Sequence, residues 1–334
     1  MIISFVISTL NIKIATFVFF VVSFFRRKVQ ISYTKIFIFY LFCLPLLYSL
    51  FKNSFLDINS QYKFIIALYS FTTFIFLKTS SSSIVKIDCI LLYILFIFII
   101  LDLFYNHNFG DRYTFYFERA SQFSFFCVMS FFILLLKKGN VRYIFIIVLC
   151  FFTFFSGTKK ELIFILIFIF SILFKAKNKS QLLILSVIIS SSLYFIFFNF
   201  DLLDFLRVNK NIKEIGSRYY LINETLNIIN NNYYGIGYGN WNAFLPEYGI
   251  DNLEFGGPHN GFLDFIGMFG FLFAPIYFIV YIYFFLYLRK RKYGSYVFLY
   301  VLFLEFFSIS FFYSGDLRSF LILYYSSILP LKST

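Results

Sequence analysis

From Ile90 to Leu101, and again from Leu162 to Phe174, the chain carries no charged side chain, and apolar residues cover every face of a helix rather than one stripe. Segments of this kind need a solvent other than water. Soluble domains carry about 25% charged residues, whereas this chain has 13%, with 60% hydrophobic residues and a mean hydropathy of +0.82. A membrane-crossing helix needs about 20 mostly apolar residues to pass roughly 30 Å of hydrocarbon. Its backbone must also satisfy its own hydrogen bonds there, which helices do. A transmembrane barrel would alternate apolar and polar residues, and these runs do not. The expected fold is therefore all-α: a polytopic integral membrane helix bundle with one large extracytoplasmic loop.

Apolar runs predict about eleven transmembrane helices, near 3–25, 35–51, 62–77, 87–105, 120–136, 141–155, 161–174, 181–199, 260–288, 295–313 and 319–330. The first has no basic leader and no small-residue cleavage site, so it reads as a helix rather than a signal peptide. Basic residues then sort by connection. Arg26, Arg27, Lys28 and Lys35; Lys78 and Lys86; Lys137, Lys138 and Arg142; Lys175, Lys177 and Lys179; Arg289, Lys290, Arg291 and Lys292; and Lys332 fall in alternate connections, with Asp88 the only acid among them. These account for more than half of the 29 basic residues. Short loops rich in Lys and Arg stay in the cytoplasm. The amino terminus is then expected outside and the carboxyl terminus inside, in a bacterial inner membrane. Three regions follow: helices one to eight over 1–199, an extracytoplasmic loop over 200–258, and helices nine to eleven over 259–334.

The net charge of +13 is spent on this sidedness, so it does not call for nucleic acid. Cys43, Cys89, Cys127 and Cys150 lie in or beside apolar stretches without C-x-x-C spacing. They read as small buried residues, not as a metal or redox site.

Only 200–258 is polar enough to hold a site. It contains Gly216-Ser217-Arg218-Tyr219-Tyr220, a helical stretch Tyr220–Asn230, the run Gly235-Ile-Gly237-Tyr-Gly239-Asn240-Trp241, and Gly256-Gly257-Pro258-His259-Asn260-Gly261 leading into the ninth helix. The glycines of 235–239 allow a tight turn. No strand–turn–helix unit surrounds them, as a nucleotide fingerprint would require. Pro258 and Asn260 suit a helix start, whose unpaired N–H groups favour anions. The only histidines are His107 and His259. A lone histidine is usually structural, but His259 opens a helix beside a glycine pair and is placed to accept a proton near neutral pH. No second His or Cys is spaced to join it around a metal.

Basic residues on the outer side run against the positive-inside tendency. Arg112 and Arg119 follow the fourth helix, Lys159 and Lys160 the sixth, Arg207, Lys210, Lys213 and Arg218 fall in the loop, and Arg318 follows the tenth. Pairing with Asp111, Glu118 and Glu161 is the plain explanation. The other is convergence over one cavity, which a diphosphate would require as fixed charge with several donors. Lys13 and Glu305 lie within apolar spans; such ions are functional candidates by default, although snorkelling accounts for Lys13.

In order along the chain, Arg218-Tyr-Tyr-Leu-Ile, Gly235-Ile-Gly237-Tyr-Gly239-Asn-Trp, Pro258-His259-Asn260-Gly-Phe-Leu263 and Gly267-Met-Phe-Gly270-Phe resemble the signature of the O-antigen ligase and O-antigen polymerase family. Ser156-Gly157-Thr158-Lys159-Lys160 is similar to a short external turn of that family in which Arg is commoner, and Arg112 with Gln122 to an element in which Asn is usual at the second position. The resemblance covers most of the chain in topology and about 110 residues in motif.

The resemblance implies a metal-independent glycosyltransferase that uses an undecaprenyl-diphosphate-linked oligosaccharide and no cofactor. His259 would be the catalytic base, with Arg218 beside it. Arg218, Arg112 and Arg119, with Lys159 and Lys160, would bind the diphosphate. Gly235, Gly237, Trp241 and Asn260 would shape the sugar-facing loop. The expected partners are the lipid-linked oligosaccharide, the bilayer and a chain-length regulator. A polymerase, elongating another lipid-linked repeat unit, is favoured over a ligase acting on lipid A core. From another class, a polysaccharide transporter or flippase stays open; it would show broken helices with ions near the midplane.

Overall fold

In the computed structural model the residues described are 28–29, 31–52, 58–78, 96–102, 120–135, 146, 148–153, 156, 161, 164–165, 222–241, 258, 260–307, 310–313, 315 and 317–331. Among them helix dominates. In chain order, a short strand β1 (Lys28–Val29) leads into α1 (Tyr33–Lys52) and α2 (Ile58–Phe76), which ends in β2 (Leu77–Lys78). Helices α3 (Ala120–Leu135), α4 (222–231), α5 (Gly261–Phe269), α6 (Ala274–Arg289), α7 (Gly294–Phe307) and α8 (Leu317–Ile328) follow. Tyr33–Phe51 and Phe271–Arg289 are long and apolar enough to cross a membrane, while Lys63–Phe76, Phe123–Leu134 and Gly294–Phe306 are shorter apolar helices.

The chain divides into two compact units, one of residues 1–21 and 82–213, the other of 22–81 and 214–334. In the first, Phe123, Phe131 and Phe132 of α3 are buried, and Phe152 packs against both Phe96 and Phe123. Ring pairs of this kind add about 0.5–1.5 kcal/mol each beyond the area they bury.

In the second unit the helices share two ends. At one, β1 and β2 pair antiparallel with Lys28 opposite Lys78, Arg291 bridges Leu331, and Phe74 of α2 meets Tyr287 of α6. At the other, the Tyr238 N–H donates to Ser49 Oγ at 2.6 Å, Tyr48 meets Phe273, and Gly315 lies against the backbone of Lys63. Between them runs an aromatic core: Phe42 stacks on Phe71 at 4.0 Å and on Tyr313 at 4.6 Å, and α8 lies along α2.

The expected ninth span, 260–288, is not one helix. It breaks at Gly270, and its halves fold back on each other. On a continuous helix Phe265 and Tyr277 would stand about 18 Å apart and Phe262 and Tyr281 about 28 Å, at 1.5 Å per residue. Their ring centroids are instead 4.1 Å and 6.1 Å apart. Gly270 sits at φ 84°, which only glycine adopts without strain, and Asn260, the N-cap of α5, lies at the depth of Tyr281 rather than at the helix-turn end. The expected tenth span, 295–313, also ends early: α7 stops at Phe307, and 310–313 is a buried turn.

Candidate functional site

Two of the sequence segments singled out, 235–241 and 258–270, form one packed block. The N–H groups of Ile236 and Gly237 donate to the carbonyls of Gly267 and Met268 at 2.8 and 2.9 Å, and the Phe271 N–H reaches the Tyr233 carbonyl. Gly235, at φ 80°, is pressed against the backbone at the end of α5: a Cβ there would lie 2.5 Å from the Met268 carbonyl oxygen. A Cβ on Gly270 would meet the Tyr233 carbonyl at 2.5 Å from the other side. The two glycines let two backbones touch. Ile236, Tyr238 and Trp241 are buried, so the turn expected over 235–239 exists but is wedged among helices instead of standing free above them.

Asn260 caps α5, its side-chain oxygen accepting from the N–H groups of Phe262 and Leu263 at 3.1 Å each. One turn on, the buried Asp264 carboxylate takes the Trp241 indole N–H on Oδ1 at 2.6 Å and the Ser310 N–H on Oδ2 at 3.0 Å. Beside it Glu305, fully buried, receives on Oε1 the Tyr277 hydroxyl at 2.6 Å, the Tyr281 hydroxyl and the Phe311 N–H at 2.6 Å. Tyr277 Oη also lies 3.1 Å from Ser310 Oγ, which joins the two carboxylates into one network. Glu305 Oε2 has no hydrogen-bond partner.

This network has a backbone cause. Where a helix breaks inside an apolar interior, its freed N–H groups must find other acceptors. Ser310 and Phe311 find theirs in Asp264 and Glu305. Leaving a buried N–H unmet costs about 1–3 kcal/mol, so each of these acceptors bears on the fold.

Of the residues expected at a site, Gly235, Gly237, Trp241 and Asn260 come together here. His259, Arg218, Arg112, Arg119, Lys159 and Lys160 lie outside the described residues. Glu305 stands out in the sequence by its apolar surroundings, and Asp264, an acid one turn into an apolar helix, carries the same signal although the expected site omits it. Ser310 carries no such signal, because a serine in an apolar stretch is common and half of its part is played by its backbone N–H. No protein-family model matches the chain, nor does any curated protein or solved structure.

Proposed function

We propose that the chain is a bacterial inner-membrane protein of about eleven helices, and that it is a surface polysaccharide polymerase. It would transfer a glycan from undecaprenyl diphosphate to the sugar of another lipid-linked repeat unit on the outer face of that membrane. A ligase that transfers the glycan to lipid A core is the near alternative. The observation that carries this reading is the docking of the glycine turn 235–241 onto the helix that Asn260 opens. Two of the motif segments on which the family resemblance rests are thereby one structural block. The sidedness is supported by the ends of the second unit: Lys28, Lys78 and the Arg289–Lys292 run share one end, and the glycine turn lies towards the other.

In the proposed reaction, the bond from the anomeric carbon to the diphosphate oxygen breaks as the acceptor hydroxyl oxygen bonds to that carbon. The hydroxyl proton passes to the His259 imidazole. The departing diphosphate gathers negative charge, which Arg218 and Arg112, with Lys159 or Lys160, would stabilise as fixed cations. Replacing Arg218 and His259 by Ala, one at a time, tests this in cells. Loss of polymerisation leaves single repeat units on the core, and loss of ligation leaves none attached. Wild-type polysaccharide in both variants would end the proposal.

A second reading is favoured by one specific observation. Discontinuous helices are a feature of secondary transporters, and here the buried Asp264 and Glu305 hold the backbone freed after α7. A transporter would, when inactivated, trap lipid-linked units on the inner leaflet, whereas an inactive polymerase lets them reach the outer one.

A further inference from the structure

Three elements meet at one carboxylate. Asp264 belongs to α5, its Oδ1 holds Trp241 of the glycine turn, and its Oδ2 holds Ser310 of the break between α7 and α8. We propose that Asp264 is a positioning residue: through these two bonds it fixes where the N-terminal end of α5, and hence Asn260, stands. The proposal rests on the transferase reading, in which the residues opening α5 belong to the site.

The lever is short and hinged. Helix α5 has nine residues and its far end turns at Gly270, where the chain reverses into α6. Rings of Phe262 and Phe265 press α5 against α6 and α7, but ring contacts set no single angle, and directional bonds are what fix the helix against rocking about that turn. From Gly270 to Asn260 is about 15 Å at 1.5 Å per residue, so a tilt of about 4° moves the N-cap by about 1 Å. Misplacement by about 1 Å can cost on the order of 100-fold in rate. The backbone bonds of Ile236 and Gly237 to Gly267 and Met268 restrain the helix close to the hinge, where they have little leverage. Asp264 is six residues from Gly270, more than half the way to the N-cap. It is tied on two sides, to groups that themselves lie in separate elements. Asn240, beside Trp241, adds a local brace by donating from Nδ2 to the Ile236 carbonyl at 3.0 Å, so the turn presents the indole on a stiff base.

The test uses the full-length protein in lipid nanodiscs, with lipid-linked repeat units purified from cells lacking the polymerase. An Asp264→Asn amide can accept only one of the two N–H donors and turns its own N–H towards the other. Turnover should fall roughly 100-fold with KM within about twofold. Trp241→Phe removes one bond and keeps the ring, and should lower turnover about tenfold. The double variant should be no worse than Asp264→Asn alone, because both act through one link. Trp241 is the only tryptophan, so its emission should shift in Asp264→Asn while helical circular dichroism stays as in the wild type. Wild-type turnover in both single variants, with His259→Ala inactive, would refute the positioning role. So would losses that merely track the fraction of folded protein. Wild-type turnover in His259→Ala would instead remove the transferase reading, and the positioning role with it.

Discussion

Helices α1, α2 and α8 and the interrupted pair α5–α6 sit in the same unit but are held together by different forces. The first group is helical throughout, with Pro45 of α1 as one gap in its backbone ladder, close to the Phe42 carbonyl that takes the Tyr313 hydroxyl, and α1 meets α2 through rings such as Phe42 and Phe71. Hydroxyls of α2 turn inward: Ser70, Thr72 and Thr73 donate to carbonyls of their own helix three or four residues back, whereas Ser49 of α1 accepts the Tyr238 N–H. The pair α5–α6 breaks at Gly270, where the main chain of the glycine turn meets the freed groups, and α7 beside it breaks after Phe307, where the Asp264 and Glu305 side chains do so. Continuous helices tolerate approximate packing; an interrupted one needs particular acceptors at particular atoms.

That contrast can be broken most sharply at the hinge. Gly270→Ala puts a Cβ into the Tyr233 backbone at positive φ, and should cost about 3–5 kcal/mol in strain and overpacking, read from unfolding in mixed micelles. Next, Glu305→Ala strands two tyrosine hydroxyls and the Phe311 N–H and should cost about 3 kcal/mol; a loss under about 1 kcal/mol would mean that the network is ornamental to stability. Asn260→Ala removes the α5 cap, for about 1 kcal/mol, and Asn260→Asp should restore most of it. Smallest is Ser70→Ala on α2, within about 0.5 kcal/mol, since the Ile66 carbonyl keeps its place in the helical ladder. If Ser70→Ala matched Glu305→Ala, the two regions would not differ in kind.

The same contrast explains what could be read in the chain beforehand. The spans expected at 35–51, 62–77, 120–136 and 319–330 correspond to α1, α2, α3 and α8 within a few residues, because hydropathy and helical continuity coincide there. At Gly270 they part. Phe271-Leu-Phe keeps the hydropathy high on both sides of the break, and Phe311-Phe-Tyr does the same after α7. Apolar content measures how side chains meet lipid or core and is blind to where a backbone N–H goes. The glycine turn was legible from composition and the α5 start from Pro258 and Asn260. That the two dock was not, since most of their contacts are main-chain bonds, and the one side-chain bond described between them joins Trp241 and Asp264, 23 residues apart, which no local pattern links. Asp264, an acid in an apolar stretch, carried a signal but lay hidden inside what read as an unbroken span.

Helix α5 also bears on how the sides of the bilayer are counted. Nine residues extend about 13.5 Å, less than half of a hydrocarbon layer about 30 Å thick. In a bilayer such a segment is too short to cross by itself, so of the two halves only α6 counts as a crossing. Splitting 260–288 in two therefore leaves parity untouched, and a reporter fused after Lys292 should lie on the same side as one fused after Lys78.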